Sequence, residues 1–174
     1  MANKKHIWKV DPTHTDVGFK VRHMMISTVS GSFTDFDARI ESDNDQFTNA
    51  DFFFSAKIDS INTKNTDRDN HLKSADFFDA ENYPEMTFKS TSYDGEELIG
   101  DLTIRGTTKE VKLDVEFNGI AVDPYGQTKA GFEISGSINR KDFNLNWNAV
   151  TEAGSIVVSD KVRLVVDLQV IKQG

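Results

Sequence analysis

The chain has 174 residues, 28 acidic against 20 basic side chains for a net charge of −8, and no cysteine. That length suits one domain, residues 1–174, with a sizeable core, and the missing thiols exclude disulfide frameworks, thiolate metal sites, iron–sulfur ligation and cysteine nucleophiles. The acidic balance repels nucleic acid and anionic surfaces at long range, although it is compatible with a local basic patch.

The N-terminal "MANKKHIWKV" has two lysines but no apolar stretch of a signal peptide behind them, and no later segment is apolar enough to cross a bilayer. The expectation is a cytoplasmic chain without an integral membrane segment. Residues 7–10 form a short strand, a ninth or an extension of the next. A strand falls at 15–22, where "DVGFKVRH", residues 16–23, alternates with Val17, Phe19 and Val21 on one face. His23 and Arg140 each continue the inward parity of a strand end, where a polar group can meet a ligand headgroup or snorkel to solvent. A strand at 31–42 slips phase between Phe33 and the set Phe36, Ala38 and Ile40. At 48–59, Ala50, Phe52, Phe54, Ala56 and Ile58 share a face that only Phe53 interrupts.

Between 48–59 and 86–94, the fourth and fifth strands when 7–10 is counted, lies "SINTKNTDRDNHLKSADFFDAENYPEM", too polar and irregular for sheet. Asn65 or Thr66 can cap a helix of two or three turns, with Asp67 and Asp69 in its first turn and Lys73 near its last. Asp67 and His71 stand four apart, on one helix face, and the reading as a capped, solvated helix competes with a metal site or an acid/base pair. Phe77 and Phe78 then pin the segment to the sheet. Arg68 is a third headgroup candidate on this helical plug.

Further strands fall at 86–94, 97–105, 109–122, 128–140 and 161–171. Their inward sets include Phe88; Val115 and Phe117; Phe132, Ile134 and Gly136; and Leu164 and Val166. Asp94-Gly95, Arg105-Gly106-Thr107 and "DPYG" mark turns, and Asn118-Gly119 reads as a bulge within one long strand. About eight antiparallel strands with one wet and one dry face predict a closed barrel or a sandwich. The strand at 109–122, at ~3.3 Å per residue and a tilt of ~40°, gives a barrel roughly 35 Å tall.

The mixture of large and small inward residues allows either an interior slot or a filled core. His14, His23 and His71 lack any zinc-ligand spacing, and no nucleotide-binding, serine-hydrolase or calcium-loop pattern occurs, so no metal and no cofactor is expected.

The segments "WKVDPTHTDVGFKVRHMMISTVSGSF", "SINTKNTDRDNHLKSADFFDAENYPEMTFKS", "IGDLTIRGTTKEVKLDVEF", "SGSINRKDFNLNW" and "SDKVRLVVDL" resemble the YceI-like family, in the family's order from Trp8 to Leu168. Thr15 and Asn144 depart from its more usual serine and glycine. The resemblance implies an extended lipocalin-like antiparallel barrel whose pore binds a polyisoprenoid or other long lipid chain, in a homodimer, without established catalytic residues. On that reading the pore-lining candidates are Val17, Phe19, Val21, Phe52, Phe54, Ala56, Phe88, Val115, Phe117, Phe132, Ile134, Gly136, Leu164 and Val166. The competing readings are an enzyme acting on such a lipid through His71, Asp67 or His23, and an interaction protein with a filled core.

Overall fold

A computed structural model describes residues 6–24, 26–147 and 158–173. In chain order the strands are β1 (His6–Val10), β2 (Asp16–His23), β3 (Ser27–Phe33), β4 (Phe36–Ser42), β5 (Asp51–Lys57) and β6 (Ile61–Asn62). The helix α1 (Thr66–Lys73) follows. The remaining strands are β7 (Glu85–Tyr93), β8 (Glu97–Ile104), β9 (Thr107–Val122), β10 (Thr128–Asn139) and β11 (Val158–Gln173).

All pairings are antiparallel, and the ring β1-β4-β5-β7-β8-β9-β10-β11 closes where β1 meets β11. The result is a closed eight-stranded barrel, which leaves no open edge around that ring. β1 and β2 lie end to end along β11, with Val10 opposite Val170 and Asp16 opposite Asp167. The expected strand at 31–42 is two strands, β3 and β4. The chain leaves the ladder at Thr34 and Asp35, whose backbone groups bond instead to Ser60 and Lys57. β3 starts earlier than expected, at Ser27, because its serine-rich sequence masks the alternation.

Turn chemistry fixes the register. Arg105 and Gly106 both adopt positive φ, +49° and +71°, the conformation that a tight two-residue hairpin turn requires. Gly119, at φ +111°, lies at the β9 bulge: Gly131 faces Gly119 while Phe132 faces Phe117, so Asn118 is the extra residue.

The corner between β1 and β2 is tied by Asp11. Its carboxylate accepts from the Thr13 backbone N–H (3.2 Å) and hydroxyl (2.7 Å) and from Lys129 Nζ (2.9 Å), and it faces His14 Nδ1 at 2.9 Å. Burial alone would raise its pKa; the bonds from Lys129, Thr13 and His14 outweigh that and hold it well below the usual carboxylate range. Among the described residues, no helix is long and apolar enough to cross a membrane.

Candidate functional site

The barrel interior has two unlike ends. One is stoppered by rings: Phe47 meets Trp8 at a tilt (5.1 Å between centroids) and Phe132 (5.0 Å) and Phe117 (5.4 Å) edge-on, and Phe52 bridges Phe132 (5.7 Å) and Tyr93 (5.0 Å). Trp8 and Phe132 are essentially inaccessible. The other end, between the β2–β3 hairpin and α1, is the mouth of a cavity of about 560 Å³. That volume falls among small-molecule sites, roughly 300–1,000 Å³.

Leu164, Val166, Val17, Phe19, Val21, Phe52, Phe54, Phe88 and Ile134 all line this cavity. Their neighbours explain why the interior is not filled. Phe19 lies over Gly31, Phe88 over Gly100 and Leu113 over Gly136, each where a β-carbon would collide with it. Large side chains thus lean on inward glycines of the next strand and leave the axis clear. At ~3.3 Å per residue and ~40° of tilt, the wall between the levels of Val162 and Leu168 is about 15 Å deep. An extended chain advances ~3.6 Å per three bonds, so this depth takes about a dozen chain atoms.

Five expected wall residues stand elsewhere. Phe132 and Phe117 belong to the ring stopper, and Phe117 is 40 % exposed beyond it. Val115, between Leu113 on the wall and Phe117, is buried off the cavity. Ala56 is too short to reach past Phe36 and Met86, its cross-strand partners, which do line the cavity. Gly136 is covered by Leu113.

The polar candidates divide in the same way. His23, Arg68 and Arg140 all border the mouth. Arg140, only 2 % exposed, spends its guanidinium on backbone carbonyls: Ser159 (2.9 Å), Trp147 (2.7 Å), Val158 (3.3 Å) and Leu145. Burial pulls its pKa below the ordinary value and Asp160, 3.8 Å away, pushes it back up. Arg140 is a staple of the rim, which corrects its expected role as a headgroup contact. Arg68 donates from Nε to the Thr63 hydroxyl (2.8 Å) and from an Nη to the Thr63 carbonyl (2.7 Å), so much of its fork fastens α1 to the chain after β6.

Helix α1 is capped as expected, with the Asn65 side chain accepting from Arg68 N at 3.0 Å. Asp67 and His71 do not form a pair. The His71 ring turns to Asp76 (Nε2 to Oδ2, 3.0 Å) and packs edge-on against Trp147 (4.6 Å) and Phe77 (5.3 Å). Phe77 is buried and Phe78 meets Phe33 edge-on at 6.3 Å, which anchors the plug to the barrel. His14 pairs with Asp11, remote from the mouth, and no metal-binding cluster of His, Asp and Glu occurs among the described residues. Trp147, Leu72 and Val29, absent from the sequence reading, also line the mouth among the described residues; the parity of Val29 with Val21 across β2–β3 is the one signal that pointed to any of them.

Comparison with known proteins agrees with this architecture. The family model for the YceI-like domain matches residues 8–170. A UPF0312 protein of Staphylococcus epidermidis is 40 % identical over 154 residues, covering 88 % of this chain and 90 % of its own. The crystal structure of a Campylobacter jejuni YceI protein superposes with a TM-score of 0.73 at 36 % identity, with both chains fully covered. A polyisoprenoid binding domain from Saccharophagus degradans has the same fold at 13 % identity, TM-score 0.72, over 95 % of this chain and 98 % of that one.

Proposed function

Because the chain belongs to the YceI-like family, we propose that it is a non-catalytic carrier that shields a long apolar chain, of polyisoprenoid type, in the barrel cavity. The observation that carries this reading is the cavity itself: blind at the ring stopper, open beside α1, and walled almost throughout by hydrocarbon. A dozen methylenes transferred there gain ~10 kcal/mol gross at ~0.8 kcal/mol each. The methyl branches of an isoprenoid bring a dozen chain atoms to about fifteen carbons and ~12 kcal/mol gross, so a preformed wall that holds the association cost near its lower bound of ~4 kcal/mol leaves about 8 kcal/mol, micromolar affinity. The S. degradans domain, described by what it binds, supports the isoprenoid class. His23 and Arg68 stand where a headgroup would emerge.

The test is titration of the delipidated protein with a fluorescent long-chain isoprenoid alcohol in vesicle-free buffer. One chain per barrel, displaced by unlabelled long-chain alcohol but not by a short one, is the expected result. A protein that leaves the probe in water overturns the reading.

A further inference from the structure

We propose that the mouth end of the barrel docks on a lipid bilayer bearing anionic headgroups, with the tip of the β2–β3 hairpin set into the interface. This rests on the carrier reading, since it supplies the surface from which the cavity would load.

Among the described residues, the tip is the most exposed apolar feature at the mouth: Ile26 is 80 % and Met24 39 % exposed. They crown the hairpin whose inner face, through Val21, His23 and Val29, forms the mouth itself. On the outer face of the same hairpin and its neighbour, Lys20 stands directly opposite Arg163, with Arg22 and Lys161 nearer the tip. All four are exposed; the other cross-strand positions facing Lys20, Arg163 and Lys161 are Ser30, Ser137 and Asn139, and Arg22 donates to the Thr28 hydroxyl at 3.4 Å. Like charges directly opposite destabilise a sheet, so the Lys20 and Arg163 pair works against folding and calls for a partner outside the barrel.

The rest of that face is the reverse. Asp16, Asp167, Glu133 and Glu116 stand in register across β2, β11, β10 and β9, toward the stoppered end. The carboxyl of Glu133 is held above its ordinary pKa by a shared hydrogen bond with Glu116 and by the charges of Glu116 and Asp167. Along β11 the acids lie about 13 Å from Arg163 at ~3.3 Å per residue, beyond the ~8 Å screening length at physiological salt. The cations therefore present a local positive field despite the net charge of −8. Exposed aliphatic side chains beside cations suit a bilayer interface, where apolar insertion and headgroup attraction act together. The acidic ladder turns the other end of the molecule away. Asp67 and Asp69 on α1 tilt the contact toward the β2–β3 side of the mouth.

Flotation with vesicles of phosphatidylcholine alone, or in equal parts with phosphatidylglycerol, tests this. The wild-type protein should float with the mixed vesicles, release in high salt, and ignore the neutral ones. The double variant Lys20→Glu, Arg163→Glu should lose binding about twenty-five-fold or more, since each cation near the surface contributes about fivefold. Ile26→Ser should lose several-fold. Both variants should take up the isoprenoid probe from solution as the wild type does. Failure of the wild type to float, equal flotation with neutral vesicles, or undiminished flotation of the charge-reversed variant overturns the proposal. A wild type that floats but takes up no probe overturns the carrier reading and leaves the docking surface standing.

Discussion

Leu164→Asp is expected to lower affinity for a long-chain isoprenoid probe by more than a hundredfold while the barrel still folds. Leu164 is half-buried on the cavity wall opposite Phe19 and Gly136. In the ligand-free state water entering from the mouth can solvate the new carboxylate, so the barrel tolerates it. A hydrocarbon chain expels that water, and covering a carboxylate without a partner costs several kcal/mol. Burial favours the protonated form, so part of the affinity should return as the pH falls through the carboxyl range. Val165→Asp is the control: one residue along, it faces the outside between Gly18 and Ser135 and should bind normally. Binding retained by Leu164→Asp and lost by Val165→Asp would place the inward face on the wrong parity.

The second large effect concerns stability. Asp11→Asn should cost about 2–3 kcal/mol, because a buried carboxylate that holds the β1–β2 corner and Lys129 together is removed. Lys129 keeps Asp123 at 3.3 Å, which limits the loss. The pH dependence follows from the direction of the shift. The folded carboxyl titrates below its unfolded value, so its contribution is complete above about pH 4 and disappears as the pH drops through that value toward the folded one. The Lys129 pKa is raised, chiefly by its bond to Asp11, so its share is present below about pH 10 and fades above it. Urea midpoints of wild type and Asp11→Asn should differ most around neutrality and converge in acid. A gap unchanged down to pH 3, below the ordinary carboxylate pKa of about 3.9, contradicts the assignment.

Alternation along the strands made the barrel and the drier half of the wall legible: Val17, Phe19 and Val21 on β2 and Leu164 and Val166 on β11 follow from parity alone. Parity assigns a face but no depth. Phe117 and Phe132 share the inward phase, yet they lie at the stoppered end, and what makes the stopper is Phe47, from a loop residue at φ +60° that no periodicity marks. Phe53, the break in β5, is an outward ring under the Arg39 guanidinium, 4.8 Å away. Arg140 had the parity of a headgroup contact, but the carbonyls it gathers come from Leu145, Trp147, Val158 and Ser159, a convergence only the folded chain creates. The inward glycines Gly31 and Gly100 were the overlooked sequence signal, since each sits where an opposing ring must lie flat.

A carrier of this kind must hold a long apolar chain in its barrel of its own accord. Mass spectrometry of an organic extract of the protein, purified without detergent, asks this directly. Recovery of a long-chain isoprenoid or similar lipid at close to one per barrel is the predicted result, sharply reduced in Leu164→Asp. An extract without such a lipid, from a protein that also refuses the probe, would contradict it.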